Sequence, residues 1–212
     1  MQPPCAYVQN FIPVKLKIFD KFWDNQPNHL PLLNLQIDLS ETETFSLGKS
    51  LRLIDTIIAK NSSEDIYNDV QLMLSDANWR LHLLCFITIL KLNKPDQLKY
   101  IGFLWKRLCL GTWVSPQLLV TLSKIDANFK EKSRSILDGD DLDTFKMNYL
   151  TEMELAGIKF KSEALENKIL NSLRYLTEGT YKTDIDDENG GKYAKNWTEQ
   201  LAELDRLGLM NH

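Results

Sequence analysis

At 212 residues the chain is long enough to bury a sizeable core, and 43% hydrophobic with 25% charged residues is the composition of a folded globular protein. Nine Gly and seven Pro are too few for an all-β chain, which turns roughly every 8–12 residues, so helix is the expected class. The formal charge of −4 carries no basic stripe: the richest basic runs, Lys15-Leu-Lys17 and Lys159-Phe-Lys161, hold two charges each, which argues against a nucleic-acid partner.

In chain order, residues 1–46 read as an irregular N-terminal cap. Met1-Gln-Pro-Pro-Cys5 lacks the basic and apolar stretches of a signal peptide. Val14 to Ile18 alternates apolar and charged residues, but Ile18, Phe19, Phe22 and Trp23 recur at helical spacing, which favours an amphipathic helix from Lys15 to Trp23. Asn25 to Pro31 is a loop, and a hairpin pairing Leu33–Asp38 with Thr42–Leu47 is the alternative for the remainder.

A helical core is expected over 47–137. Leu51, Ile54, Ile57 and Ile58 form one face of a helix that stops at Asn61, and Ser63-Glu64-Asp65 restarts with a cap and an acidic first turn. Ile66, Val70, Met73 and Leu74 give the next stripe. The turn Ser75-Asp76-Ala-Asn78 leads into Trp79–Leu92, apolar on several sides and therefore buried between neighbours. Beyond the break at Pro95, one helix is expected from Gln97 to Leu110, with Leu98, Ile101, Leu104, Trp105 and Leu108 inward. Ser115-Pro116 reads as a cap and first turn for a helix to Ile125, and Ala127 to Leu137 follows.

A C-terminal helical segment, 138–212, is expected to pack on that core within a single domain. It opens on the acidic loop Asp138–Asp143 and continues with helices from Leu142 to Ala156 and Ser162 to Leu176. A Gly- and Asp-rich loop from Glu178 to Gly191 precedes a last helix, Trp197–Leu207. The whole amounts to about eight to ten helices in antiparallel pairs.

The helix at Cys85–Leu92 is echoed at Leu118–Ile125: Ile87, Thr88, Ile89, Lys91 and Leu92 match Val120, Thr121, Leu122, Lys124 and Ile125 at an offset of 33. A helix-pair period in the thirties is what stacked solenoids use, because one pair cannot bury its face alone. The entry Asp76-x-Asn78-Trp79-Arg80-x-His82 followed by an apolar helix resembles the first helix of a HEAT repeat, over about residues 47–137. The second copy has Gly111 and Val114 near the places of the Asp and Arg. The resemblance implies a short α-α superhelix acting as a scaffold that binds macromolecules along one face. An irregular helical bundle is the other architecture open to these residues.

No catalytic or metal template is met. His82 and Cys85, at i and i+3, are two ligands without a second pair, and read better as a packed histidine beside a buried thiol. Counted as EF-hand loops, neither the segment from Asp138 nor that from Asp186 has both the sixth-position Gly and the twelfth-position Glu. Nucleotide-cradling, HExxH and GxSxG motifs are absent. Glu152 and Glu154 point to different helix faces. Cys5, Cys85 and Cys109 are an odd set without CxxC, which suits a reducing, cytoplasmic setting, where the Asn61 and Asn196 sequons are chance. No run approaches the ~18 apolar residues of a membrane span.

The expectation is a non-enzymatic protein-interaction module with no cofactor and an unidentified protein partner. A small helical enzyme or ligand-binding bundle with a dispersed site is the alternative. The candidate contact residues are Trp79, Arg80, Trp105, Lys106, Arg107 and Trp113, because Trp and Arg dominate interface hot spots. For each Trp the competing role is core filling, and for Arg80 it is stacking or pairing with Asp76 or Asp126.

Overall fold

The computed structural model describes residues 15–23, 29–36, 46–139, 141–150, 163–181 and 190–210. These are all-helical, with no strand among them. A 3-10 turn, Asp20–Trp23, precedes α1 (Leu30–Asn34), α2 (Leu47–Lys60), α3 (Ser63–Ser75), α4 (Trp79–Lys91) and α5 (Lys94–Leu98). Then come α6 (Ile101–Leu110), α7 (Ser115–Ile125), α8 (Phe129–Asp138), α9 (Leu142–Leu150), α10 (Glu163–Glu178) and α11 (Gly190–Arg206).

The two echoing segments form the centre. No residue from Leu81 to Ile89 in α4, or from Ser115 to Leu122 in α7, is more than slightly exposed. Helices apolar on every side must be enclosed, and α7 is: it packs against α4, α6, α10 and α11. Each large apolar side chain buried this way contributes about 1.5–3 kcal/mol. α1 packs on α4 and α11, so early and late parts of the chain meet around the same centre. Leu16, Phe19, Phe22, Leu32 and Leu35 belong to the core cluster that also holds Ile169 and Trp197.

Polar side chains start α2, α3, α4 and α5. Ser46, Ser62, Asn78 and Asn93 accept backbone N–H bonds from Lys49, Asp65, Arg80 and Asp96 at 3.2, 3.1, 3.1 and 3.0 Å. Such caps satisfy donors that a first turn leaves open, at about 1 kcal/mol each. The cap of α3 is therefore Ser62, one residue before the expected Ser63.

Several further expectations change. Lys15–Trp23 is not one helix. The buried Asp69 carboxylate accepts N–H bonds from Lys17, Ile18 and Phe19 at 2.9, 2.7 and 3.1 Å, holding them outside helical geometry and leaving the 3-10 turn alone. Leu33 and Asn34 lie in α1, not in a strand, and residues 37–45 of the alternative hairpin lie outside the described ones. Gln97–Leu110 divides into α5 and α6: Gln97 Nε2 donates to the Leu90 and Leu92 carbonyls at 3.1 and 2.8 Å, Tyr100 turns into the core, and Leu98 is 56% exposed. Ser115 is the first residue of α7 rather than its cap, with a buried hydroxyl that has no hydrogen-bond partner.

The last helix begins at Gly190, seven residues before the expected Trp197, because its start lies against α10. A Cβ on Gly190 would sit 1.8 Å from the Lys168 carbonyl oxygen, and one on Gly191 would sit 2.3 Å from Tyr181 Cβ. Only glycine permits this approach. The C-terminal parts of the expected Leu142–Ala156 helix, the Glu152 and Glu154 pair, Ser162, Cys5 and the acidic run at Asp186 lie outside the described residues.

Candidate functional site: an aromatic groove over α7

Two turns that meet at a buried cation set the position of the site. Arg107 on α6 is only 6% exposed. It donates through Nη1 to the carbonyls of Leu74 (3.3 Å) and Asp76 (2.7 Å), and through Nη2 to that of Gly111 (3.0 Å). Burial pushes this guanidinium down to about 10, so it remains charged at neutral pH. His82 completes the arrangement, with Nε2 2.9 Å from the Asp76 carbonyl and Nδ1 2.8 Å from Thr112 Oγ1. A carbonyl only accepts, so Nε2 carries the proton and Nδ1 accepts from the threonine hydroxyl. Gly111, at φ +80° and ψ 144°, ends α6 in an extended positive-φ conformation that a Cβ would strain.

The α3–α4 and α6–α7 turns are thereby tied together; the first leads into a candidate tryptophan and the second contains one. Trp79 opens α4, and Trp113 lies two residues beyond Gly111. These two line one groove of about 620 Å³ together with Leu33, Gln117, Lys168 and Tyr193. Trp113 is 67% exposed and Tyr193 37%, whereas Lys168 is 8% exposed. Lys168 Nζ donates to the Trp113 carbonyl at 3.0 Å and lies 5.3 Å from the ring centres of both Trp113 and Tyr193. That is cation–π distance on two sides.

Each wall has a local cause. The Gly190 contact brings α11 against the Lys168 backbone, and Tyr193, at i+3 from Gly190, falls on the same face. α1 is too short to satisfy its own last carbonyls. Trp197 Nε1 on α11 donates to the Leu32 carbonyl at 3.2 Å, and Gln117 Nε2 on α7 donates to that of Leu33 at 3.3 Å. One Gln117 amide N–H is therefore committed, and its Oε1, buried from solvent, has no hydrogen-bond partner. At the other rim, Arg80 lies 4.7 Å above the Trp79 ring and His29 meets that ring edge-on at 6.1 Å. Burial, then the Arg80 charge, pushes the His29 imidazole down to about 4.

The six candidates thus separate. Trp79 and Trp113 share the groove, with Arg80 stacked at its edge. Asp76 Oδ1 accepts instead from Asn78 N–H at 2.7 Å. Trp105 is core: its ring stacks on Phe129 and its Nε1 donates to Asp126 at 2.7 Å. Burial pushes the Asp126 carboxyl up, but hydrogen bonds from Trp105 and Lys132 outweigh it and hold the group below the ordinary range. Arg107 is the buried tie, and Lys106 is half-buried on α6.

Lys168, Tyr193 and Gln117 were not among the residues singled out from the sequence. They stand on helices whose pairing with the Trp79 and Trp113 turns is long-range, and only the Gly190-Gly191 pair marked the close approach. Cys85 is fully buried with its thiol pushed well above the ordinary value by burial, and Cys109 is pushed up to about 12 by the same cause. Neither is set up as a nucleophile. Asp141 accepts the Thr144 N–H at 2.6 Å, so part of the acidic loop caps α9. Among the described residues, no three His, Cys, Asp or Glu side chains come together as a metal site, and no helix is long and apolar enough to cross a membrane. Compared with family models, curated proteins and solved structures, the chain matches none, so the chemistry of the groove rests on its own residues.

Proposed function

We propose that this chain is a non-enzymatic protein-interaction module that presents the aromatic groove over α7 to a protein partner. The observation that carries it is Trp113, which stands 67% exposed beside Trp79 and Tyr193 in a shaped groove. A tryptophan left in water forgoes about 2 kcal/mol or more of burial, and docking against a partner recovers it. A HEAT-like stack over α2–α8 is part of the same proposal. Its support is that the echoing helices α4 and α7 are direct neighbours. One lysine in the lining is too little positive charge to follow a phosphate backbone, which favours protein over nucleic acid. A cytoplasmic setting accords with the buried thiols of Cys85 and Cys109.

The second reading, a ligand-binding bundle, draws on the groove volume of about 620 Å³, within the range of small-molecule sites. Affinity capture separates the two. The tagged full chain and its Trp113→Ala/Tyr193→Ala variant are incubated with nuclease-treated lysate, and retained proteins are quantified by mass spectrometry. A stoichiometric partner held by the parent and lost from the variant is the expected result. Equal retention by both chains, or none by either, overturns the proposal and leaves the small-ligand reading.

A further inference from the structure

A second cleft lies at the other end of α7. The aromatic groove takes Val114 and Gln117 from the start of that helix, whereas Ser123 to Asp126 at its end line a cleft of about 760 Å³. Phe129 and Lys130 of α8, Tyr175 and Leu176 of α10, and Lys94 form more of its wall. The volume falls within the range of small-molecule sites. Its charge is one-sided. Lys94, Lys124 and Lys130 line it and are exposed, while the one acidic side chain among the described lining residues, Asp126, is 7% exposed. Both Asp126 oxygens are already taken: Oδ2 accepts from Trp105 Nε1 and Lys132 Nζ at 2.7 and 2.9 Å, and Oδ1 from the Asn128 N–H at 2.9 Å.

Other surface lysines face carboxylates, as Lys17 does Asp65 and Lys99 does Asp96. Lys124 and Lys130 make no ion pair, and Lys94 gives one N–H to the Lys124 carbonyl at 3.3 Å, which leaves it two. The Ser123 and Thr198 hydroxyls also line the cleft, but they donate to the Val120 and Ala194 carbonyls, each at 2.7 Å. The ammonium groups are therefore the charged donors left open. Like charges gathered at one cleft repel each other, and a bound anion offsets that repulsion. Tyr175 and Leu176, both half-buried, offer apolar contact beside them. We propose that this cleft binds a small organic dianion, a phosphate monoester or a dicarboxylate, with an apolar part. The two negative charges pair with Lys124 and Lys130, and the apolar part rests on Tyr175 and Leu176. None of these residues belongs to the partner surface proposed above, so the two readings stand or fall separately.

The probes are phenyl phosphate and phthalate, both dianions with one ring, and benzyl alcohol as the uncharged control. Each is titrated at millimolar concentration into the full chain and followed by protein amide NMR shifts. At least one dianion is expected to bind, and benzyl alcohol far more weakly. In Lys124→Gln/Lys130→Gln the bound dianion is expected to lose affinity about fivefold or more. Both lysines are exposed, so the variant keeps its fold, and circular dichroism checks that it does. Binding of phenyl phosphate alone assigns the phosphate monoester, of phthalate alone the dicarboxylate, and of both the shared charge. Binding of neither dianion, equal binding of benzyl alcohol, or an affinity unchanged in the double variant overturns the proposal.

Discussion

Two buried cations bond to backbone carbonyls around the α6–α7 turn, and their surroundings differ. Arg107 is ringed by the carbonyls of Leu74, Asp76 and Gly111. Lys168 has one of its bonds to the Trp113 carbonyl, but its remaining neighbours include two aromatic rings that stand well into solvent. A cation enclosed by backbone oxygens compensates dipoles inside the fold and is structural. A cation flanked by exposed rings forms part of the groove wall. Burial alone, 6% against 8% exposed, does not separate the two.

The largest effect expected on the Lys168 side comes from Gly190→Ala. The new methyl would lie 1.8 Å from the Lys168 carbonyl oxygen and 2.5 Å from Ser172 Oγ, neither of them the end of a long flexible side chain. α11 must move away from α10, and Tyr193 leaves Lys168 with it. A loss of about 3 kcal/mol in urea unfolding is expected, in the upper range for overpacking. Retention of a protein partner in the affinity capture should also fall. A fully stable variant with an intact groove would show that the close approach does not hold the site.

On the other side, Arg107→Met leaves the Leu74 and Gly111 carbonyls to find water or remain unpaired and leaves the Asp76 carbonyl to His82, while it removes the cost of burying a charge. The balance is an expected loss of about 2 kcal/mol by the same measurement. Because those carbonyls lie at the end of α3 and in the two turns that carry the chain to Trp79 and Trp113, retention of a protein partner should fall as well. If stability drops and affinity does not, the tie supports the fold without positioning the groove, and the contrast between the two cations becomes complete.

How much of this was legible depended on the range of the interactions involved. The apolar runs Trp79–Leu92 and Leu118–Ile125 announced buried helices because a helix apolar all round must be enclosed, and α4 and α7 are the centre. Trp113 and Trp79 stood out by residue type. What local pattern could not carry was pairing across the fold. Asp69 unwinds a segment 50 residues away in sequence by taking its N–H groups. Gln97 interrupts an otherwise regular stripe by bonding back to Leu90 and Leu92. Trp105, of the same type as Trp113, is core, stacked on Phe129 and with its N–H accepted by Asp126, 21 residues on. The groove itself depends on contacts of Lys168 with Trp113 and of Trp197 with Leu32, at separations of 55 and 165 residues.

The smallest expected effect sharpens the comparison through pH, because a strongly shifted histidine sits on the groove side. His29, packed edge-on to Trp79, has its imidazole at about 4 against an ordinary 6.5. Above pH 6.5 it is neutral in both folded and unfolded chains and contributes no pH dependence. Between 6.5 and about 4 the unfolded chain takes up a proton that the folded chain refuses, so stability falls as pH falls. Below about 4 both states are protonated and the loss is complete. Carboxylates held below their ordinary range, such as Asp96 and Asp126, add their own loss only as pH drops through the carboxylate range, beneath most of this window. About 1 kcal/mol is expected to go between pH 7 and pH 5.5. Urea unfolding of the parent and of His29→Gln at these two pH values isolates it, since the variant should lack that part of the slope. Identical slopes would mean that His29 protonates freely beside Trp79 and that this rim of the groove is open to water.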